Sequence, residues 1–138
     1  MSAKKLLISV IMPNYNTSVE YLSLAVDSIL SQTYENFEFI IIDDCSTDES
    51  VDYLASITDP RVRVIRNDVN RGITASLNVA LDNARGDYIA RMDSDDVSLP
   101  ERFEKQIAFM EANPDVIVCG TWIQSFGGAD YIQKRIIP

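Results

Sequence analysis

The feature that most constrains this chain is an alternation. Short apolar runs, several of them rich in β-branched residues, are separated by polar clusters and stretches of helical periodicity. Leu6–Met12 (LLISVIM), Phe37–Ile42 (FEFIII), Arg61–Ile65, Asp87–Met92 and Val116–Gly120 have the length of strands. Between them, Leu22, Ala25, Val26, Ile29 and Leu30 recur at helical spacing to about Gln32. A second helix is expected with Val51, Leu54 and Ala55 inward, and a third with Ile73, Leu77, Ala80, Leu81 and Ala84. A fourth runs to about Glu111. Ser/Thr-x-x-Glu boxes at Thr17–Glu20, Ser46–Glu49 and Ser98–Glu101 are expected to open three of these helices, with Pro100 inside the last one's first turn. Pro13 is expected to stop the first strand, and Gly86 stands where a helix end favours a left-handed residue.

Strictly alternating strands and helices predict an α/β fold: a Rossmann-like, mostly parallel sheet with helices on both faces. Right-handed crossovers restrict its topology. Ligands in such sheets bind beyond the carboxyl ends of the strands. Four polar segments fall there: Asn14-Tyr15-Asn16, Asp43-Asp44, Asn70-Arg71-Gly72 and Asp93-Ser94-Asp95. From Trp122 onward the signals weaken.

Composition narrows the chemistry. The 138 residues, 46% hydrophobic and 24% charged, fit one domain over 1–138, large enough for a real core. Net charge is −9, from 21 acids against 12 bases, which disfavours nucleic acid and leaves a basic membrane-binding face unsupported. A polyanionic small ligand would need a cation to bind. With no His, the commonest general base and the usual zinc ligand are missing, so acid–base or metal chemistry rests on carboxylates. Cys45 and Cys119 form no CxxC pattern, which points to a reducing, cytoplasmic setting. Lys4-Lys5 before Leu6–Met12 has the outline of a signal peptide, but the run meets Pro13-Asn14-Tyr15-Asn16 with no small-residue cleavage site. No segment reaches the roughly 18 apolar residues of a membrane span. GxGxxG and GxxxxGK[ST] are both absent, which disfavours dinucleotide and P-loop sites.

Among the candidate sites, Asp93-Ser94-Asp95-Asp96 is the strongest. Three carboxylates within four residues repel each other unless a cation or donors compensate. Divalent cations take one or two carboxylates together with substrate phosphates. The alternative is a solvated loop and helix start, where acids are favoured anyway. Asp43-Asp44 offers an acceptor for a base or ribose donor, or ordinary turn chemistry. Tyr15 offers a ring for base stacking, or half-buried packing. Asn70-Arg71-Gly72 could place a cation near a diphosphate with close backbone approach, or be a surface turn.

In order, Ile8–Asn16, Ser28–Tyr34, Ile41–Asp48, Asn70-Arg71-Gly72 with Ala84–Ile89, and Met92–Asp96 resemble the family 2 glycosyltransferases of the GT-A fold. The resemblance covers residues 6 to about 120, with Met92–Asp96 in the place of the DxD motif. It implies that Pro13 and Tyr15 border the nucleobase, Tyr15 by stacking, and that Asp44 accepts from the ring N–H of uracil or thymine. Arg71 is a weaker correspondence, because that loop varies. Asp93 would lie near the ribose, and Asp95 would reach the Mn2+ or Mg2+ that bridges the diphosphate. Cys45 departs from the Gly or Asn often found there.

The implied activity is inverting transfer of a sugar from a nucleotide diphosphate sugar, UDP-sugar favoured, to a saccharide or lipid-linked acceptor. Its general base would be an Asp or Glu beyond residue 138, since Trp122–Pro138 contains no matching segment. On that reading the chain is a fragment of a longer protein that binds donor but transfers poorly alone. Longer segments or partners could bring it to the inner face of the membrane. An uncovered apolar patch would favour a homodimer. Two further readings stand beside this one. One is a nucleotide-binding module acting with a partner chain. The other is a sugar-nucleotide pyrophosphorylase, although that enzyme's Gly-rich loop is replaced here by Pro13-Asn14-Tyr15.

Overall fold

A computed structural model describes residues 5–125. Along the chain lie β1 (Ile8–Asn14), α1 (Val19–Leu30), β2 (Phe37–Asp43), α2 (Ser50–Ser56), β3 (Val62–Arg66), α3 (Ile73–Asn83), β4 (Tyr88–Arg91) and α4 (Arg102–Ala112). The strands form one parallel sheet in the order β3-β2-β1-β4. Central β1 and β2 are apolar on both faces, as a sheet covered by helices requires. Val10 and Met12 of β1, with Phe39 and Ile41 of β2, pack under α1, α2 and α4. The alternate residues Ile11, Ile40 and Ile42 pack under α3. The α/β expectation therefore holds, with three helices on one face and α3 alone on the other.

The departures from expectation are local and have physical causes. Pro13 does not stop β1, which runs on to Asn14. Successive strand residues point to opposite neighbours, and Pro13 shares with Ile11 the side toward β4. That pairing already ends at Ile11–Arg91, so no ladder bond is lost at Pro13.

None of the three Ser/Thr-x-x-Glu boxes caps a helix as expected. α1 starts at Val19 after Ser18, and the Thr17 hydroxyl lies 2.6 Å from that of Ser94. α2 starts only at Ser50, whose N–H donates to the Asp48 carboxylate, while the Ser46 hydroxyl accepts from the Asn16 N–H. α4 starts at Arg102, and the Ser98 hydroxyl accepts from the Arg102 side chain. At Thr17 and Ser46 a long-range tie between loops has displaced the local cap, and at Ser98 a side chain of α4 itself has taken the hydroxyl.

Gly86 does not take up the left-handed conformation; among the described residues Gly72 is the glycine at positive φ. Gly86 is needed for close approach, because a Cβ there would lie 2.5 Å from the Ser9 backbone nitrogen. On α2 and α3 the inward faces are smaller than expected. Ala55, Ile73 and Leu81 are exposed, while Ser50, Ser76 and Ala80 are buried. Val116–Gly120 is not a strand: it joins no ladder among the described residues, and Ile117 is 90% exposed.

Candidate functional site

β1 lies between β2 and β4: the chain runs from β1 outward through β2 to β3 and then crosses back to β4 on the other side, and the reversal opens a crevice at the carboxyl ends of the strands. A cleft of about 420 Å³ occupies this position. The end of β1 lines it with Pro13 and Asn14, the loop that follows with Tyr15 and Thr17, and Asp44 comes just after β2. The start of α3 adds Gly72, Ile73 and Ser76, and the loop after β4 adds Asp93, Ser94 and Asp95. Five of the six residues singled out in the sequence, Pro13, Tyr15, Asp44, Asp93 and Asp95, thus meet in one cleft. Arg71 does not line it. Its exposed side chain stands outside, while its backbone N–H donates to Asp44.

Asp44 is 3% exposed and strongly coordinated. Its Oδ1 accepts from Asn67 Nδ2 (2.7 Å) and Arg71 N–H (2.9 Å), and its Oδ2 from Gly72 N–H (2.8 Å). Burial alone would raise its pKa, but these donors and the Ser76 hydroxyl outweigh burial and hold it below the ordinary aspartate range. Neighbouring Asp43 points elsewhere, accepting from Asn14 Nδ2, Ser46 N–H and the Arg66 guanidinium. It braces the loops, so of this acidic pair only Asp44 belongs to the cleft.

Tyr15 stands on the rim, about half exposed, between two laced loops. Asn16, at φ 49°, donates its N–H to Ser46 Oγ (3.0 Å) and accepts from Thr47 N–H through Oδ1 (2.8 Å). Cys45 also lies in the left-handed region, at φ 64°. That explains why Gly or Asn suits its position, since both tolerate the conformation better than Cys.

The acidic loop is only partly compensated. Arg91 donates to Asp93 Oδ1 through Nε (3.3 Å) and Nη2 (3.1 Å). Asp96 has its pKa raised by partial burial and by the charges of Asp93 and Asp95, with Arg102 and Arg91 opposing. Asp95 is exposed and has no hydrogen bond or ion pair among the described residues. No group of three or more His, Cys, Asp or Glu side chains gathers closely enough among these residues to cage a cation. The donor set still suits Mg2+ or Mn2+, which use one or two carboxylates and draw their remaining oxygens from water and phosphate.

Sequence reasoning missed Thr17, Ser76 and Asn67 as site residues, and gave Ser94, inside the acidic segment, no role of its own. Ser76 carried a signal: it is a polar residue at an inward position of α3, between Ile73 and Ala80, and such a residue needs a buried partner. The Thr17–Ser94 contact carried none, because it joins loops 77 residues apart.

Residues 9–137 match the family model described as "Glycosyl transferase family 2". The chain is 44% identical to EpsE of Bacillus subtilis over 135 residues, covering 95% of this chain and 48% of EpsE. It is 43% identical to UDP-Glc:alpha-D-GlcNAc-diphosphoundecaprenol beta-1,3-glucosyltransferase WfaP of Escherichia coli over 105 residues, covering 76% of this chain and 41% of WfaP. Among solved structures, S. aureus TarS in complex with UDP-GlcNAc superposes with a TM-score of 0.72 at 31% identity, covering 78% of this chain and 32% of that one. The mannosyltransferase PcManGT from Pyrobaculum calidifontis, in complex with GDP-Man and Mn2+, gives 0.60 at 27% identity, covering 65% and 28%. The chain thus spans about half or less of the length of these curated relatives. A parallel sheet with this crevice, matched over nearly its whole length by one family, leaves a single assignment: the chain belongs to glycosyl transferase family 2.

Proposed function

We propose that this chain is the donor-binding part of an inverting glycosyltransferase that moves a sugar from a nucleoside diphosphate sugar to an acceptor hydroxyl with help from a divalent cation. One observation carries the reading. A carboxylate without a partner among the described residues, Asp95, shares a cleft with an exposed aromatic ring, Tyr15, and a buried, fixed acceptor, Asp44. In this assignment Tyr15 and Pro13 flank the base. Asp44 has at most one lone-pair position left for a base N–H, so its larger task is to fix the 70–72 turn against the base. Arg71 contributes to that turn through its backbone. Asp93, held by Arg91, faces the ribose, and Asp95 offers its oxygens to the cation. Bound there, Mn2+ or Mg2+ supplies Lewis-acid stabilisation of the departing nucleoside diphosphate.

The acceptor hydroxyl still needs a base. The cleft's own acids are assigned elsewhere, so that base is placed outside residues 1–138, and this chain alone binds donor with little turnover. Uridine is favoured because the WfaP and TarS names carry UDP-sugars, and a lipid-linked saccharide acceptor because WfaP's name carries one. No helix among the described residues is long and apolar enough to cross a membrane, so contact with a membrane-borne acceptor is assigned to other segments or partners. Exposed Ile117, Val118 and Trp122 favour self-association, and sedimentation at high concentration tests this. The decisive experiment is calorimetry with UDP, TDP and GDP, with and without Mn2+, for the chain and for Asp95→Ala. The expected result is preference for UDP and a Mn2+-dependent gain in affinity that the substitution removes. A gain that survives Asp95→Ala overturns the site, and robust turnover by the isolated chain overturns the division of labour.

A further inference from the structure

Asp95 can serve a cation only if its loop presents it, and among the described residues no hydrogen bond or ion pair holds Asp95 itself in place. The candidate for that task is Arg102, the first residue of α4. Its guanidinium reaches both ends of the acidic loop. Nη2 donates to the Arg91 carbonyl (2.9 Å) where β4 ends, and Nη1 donates to Ser98 Oγ (3.0 Å) where the loop turns into α4. Nε donates to Gln106 Oε1 (3.0 Å) one turn along α4, and the group lies 5.5 Å from the Phe103 ring. Phe103 belongs to the main core, so the clamp is anchored beside buried side chains.

The partners of Arg102 are unusual for a partly buried cation. A carbonyl, a hydroxyl, an amide and the Met92 sulfur accept its hydrogen bonds, and no carboxylate pairs with it among the described residues. A salt bridge would have used up a carboxylate. A cation held behind the loop by neutral acceptors lowers the repulsion among Asp93, Asp95 and Asp96 without itself occupying any of their oxygens.

We infer that Arg102 is a positioning residue: a two-legged clamp and standing counter-charge that closes residues 92–98 into a fixed loop and presents Asp95 with its oxygens unengaged. The planar fork of arginine is required, because one ammonium does not span two acceptors in this way. The inference rests on the proposed donor site for its purpose, but not for its first test.

That test is amide hydrogen exchange on the full chain, without metal or nucleotide, for wild type, Arg102→Lys, Arg102→Met and Ser98→Ala. The reporter is the Ser98 amide, which donates to Ser28 Oγ (3.0 Å) at the loop's far end. Both Arg102 substitutions should speed its exchange at least tenfold while leaving the β1 amides unchanged. Ser98→Ala, which removes one leg, should have a smaller effect in the same direction and decides the matter if Arg102→Met does not fold. Unchanged Ser98 exchange, or equal acceleration in β1, overturns the clamp.

The second arm measures UDP affinity with and without Mn2+. Arg102→Met should lose at least tenfold of the Mn2+-dependent gain and keep its metal-free affinity, with Arg102→Lys in between. A gain that is intact in Arg102→Met overturns the presenting role. If wild type shows no such gain, the proposed function fails, while the exchange arm still judges the clamp.

Discussion

The two acidic ends of the cleft are built on opposite principles. Asp44 is buried, ionised and surrounded by donors from Asn67, Arg71 and Gly72. Asp95 is exposed and unpartnered among the described residues, and beside it Asp96 is disfavoured in its charged form. The first end is complete in the protein alone, whereas the second is left short of positive charge. A site that recognises a base gains from rigidity, since a fixed acceptor loses little entropy on binding. A site that must take up a cation together with a diphosphate gains from spare oxygens, because any partner would have to be displaced first. The difference predicts that substitutions at one end change stability and at the other change binding.

Asp44→Ala should show the largest effect. It leaves the Asn67 side chain and the Arg71 and Gly72 N–H groups without their acceptor, at a cost of about 2–4 kcal/mol. Chemical denaturation measures it, and a loss below about 1 kcal/mol would show that the 70–72 turn does not depend on this carboxylate. Asp95→Asn tests the other end. Stability should stay within about 0.5 kcal/mol of wild type, as expected for an exposed group. A large stability loss would mean that Asp95 has a structural partner, and the contrast with Asp44 would break.

The two ends should also titrate in opposite senses. Asp44 has a lowered pKa, so its contribution is complete above the ordinary aspartate range and drains away as pH falls through its folded value. Asp96 has a raised pKa. Its stabilising, protonated form is fully populated only below the ordinary range and is lost as pH rises through its folded value. Thermal melts across acid pH should therefore show a shallower acid limb for Asp44→Asn. Asp96→Asn should be slightly more stable than wild type near neutral pH, by less than about 1 kcal/mol given its exposure. Mn2+ with UDP should narrow that second difference by supplying the missing charge.

What the sequence made legible follows the same division. The strands and helices were readable because Val10, Met12, Phe39 and Ile41 alternate with Ile11, Ile40 and Ile42 on a sheet with two covered faces. The cleft was readable because Asp44, Asp93 and Asp95 fall just past strand ends, where a parallel sheet gathers its loops. Cap chemistry was misread for one reason throughout. Thr17, Ser46 and Ser98 have the local spacing of helix caps, but their hydroxyls serve neighbours 77, 30 and 4 residues away. Cap spacing cannot weigh a competitor for the same hydroxyl, tertiary for Thr17 and Ser46 and a side chain of the helix itself for Ser98. Val116–Gly120 was misread for a related reason: an apolar run becomes a strand only beside an edge to pair with, and pairing is not a property of the run.

The smallest effect sharpens the comparison at the completed end. Cys45 adopts φ 64° between Asp44 and Ser46, a conformation that costs an L-residue other than Gly, Asn or Asp roughly 1–2 kcal/mol. Its thiol recovers little, with one long contact of 3.6 Å to the Asp68 carbonyl. Cys45→Asn should therefore raise stability by about 0.5–1 kcal/mol, and Cys45→Gly by less, because glycine also loosens the unfolded chain. Neither should alter the Mn2+-dependent affinity, since the acidic loop lies across the cleft. A stability gain accompanied by weaker UDP binding would show that the strained turn orients Asp44 for its ligand, so that strain is kept at the rigid end of the site for function.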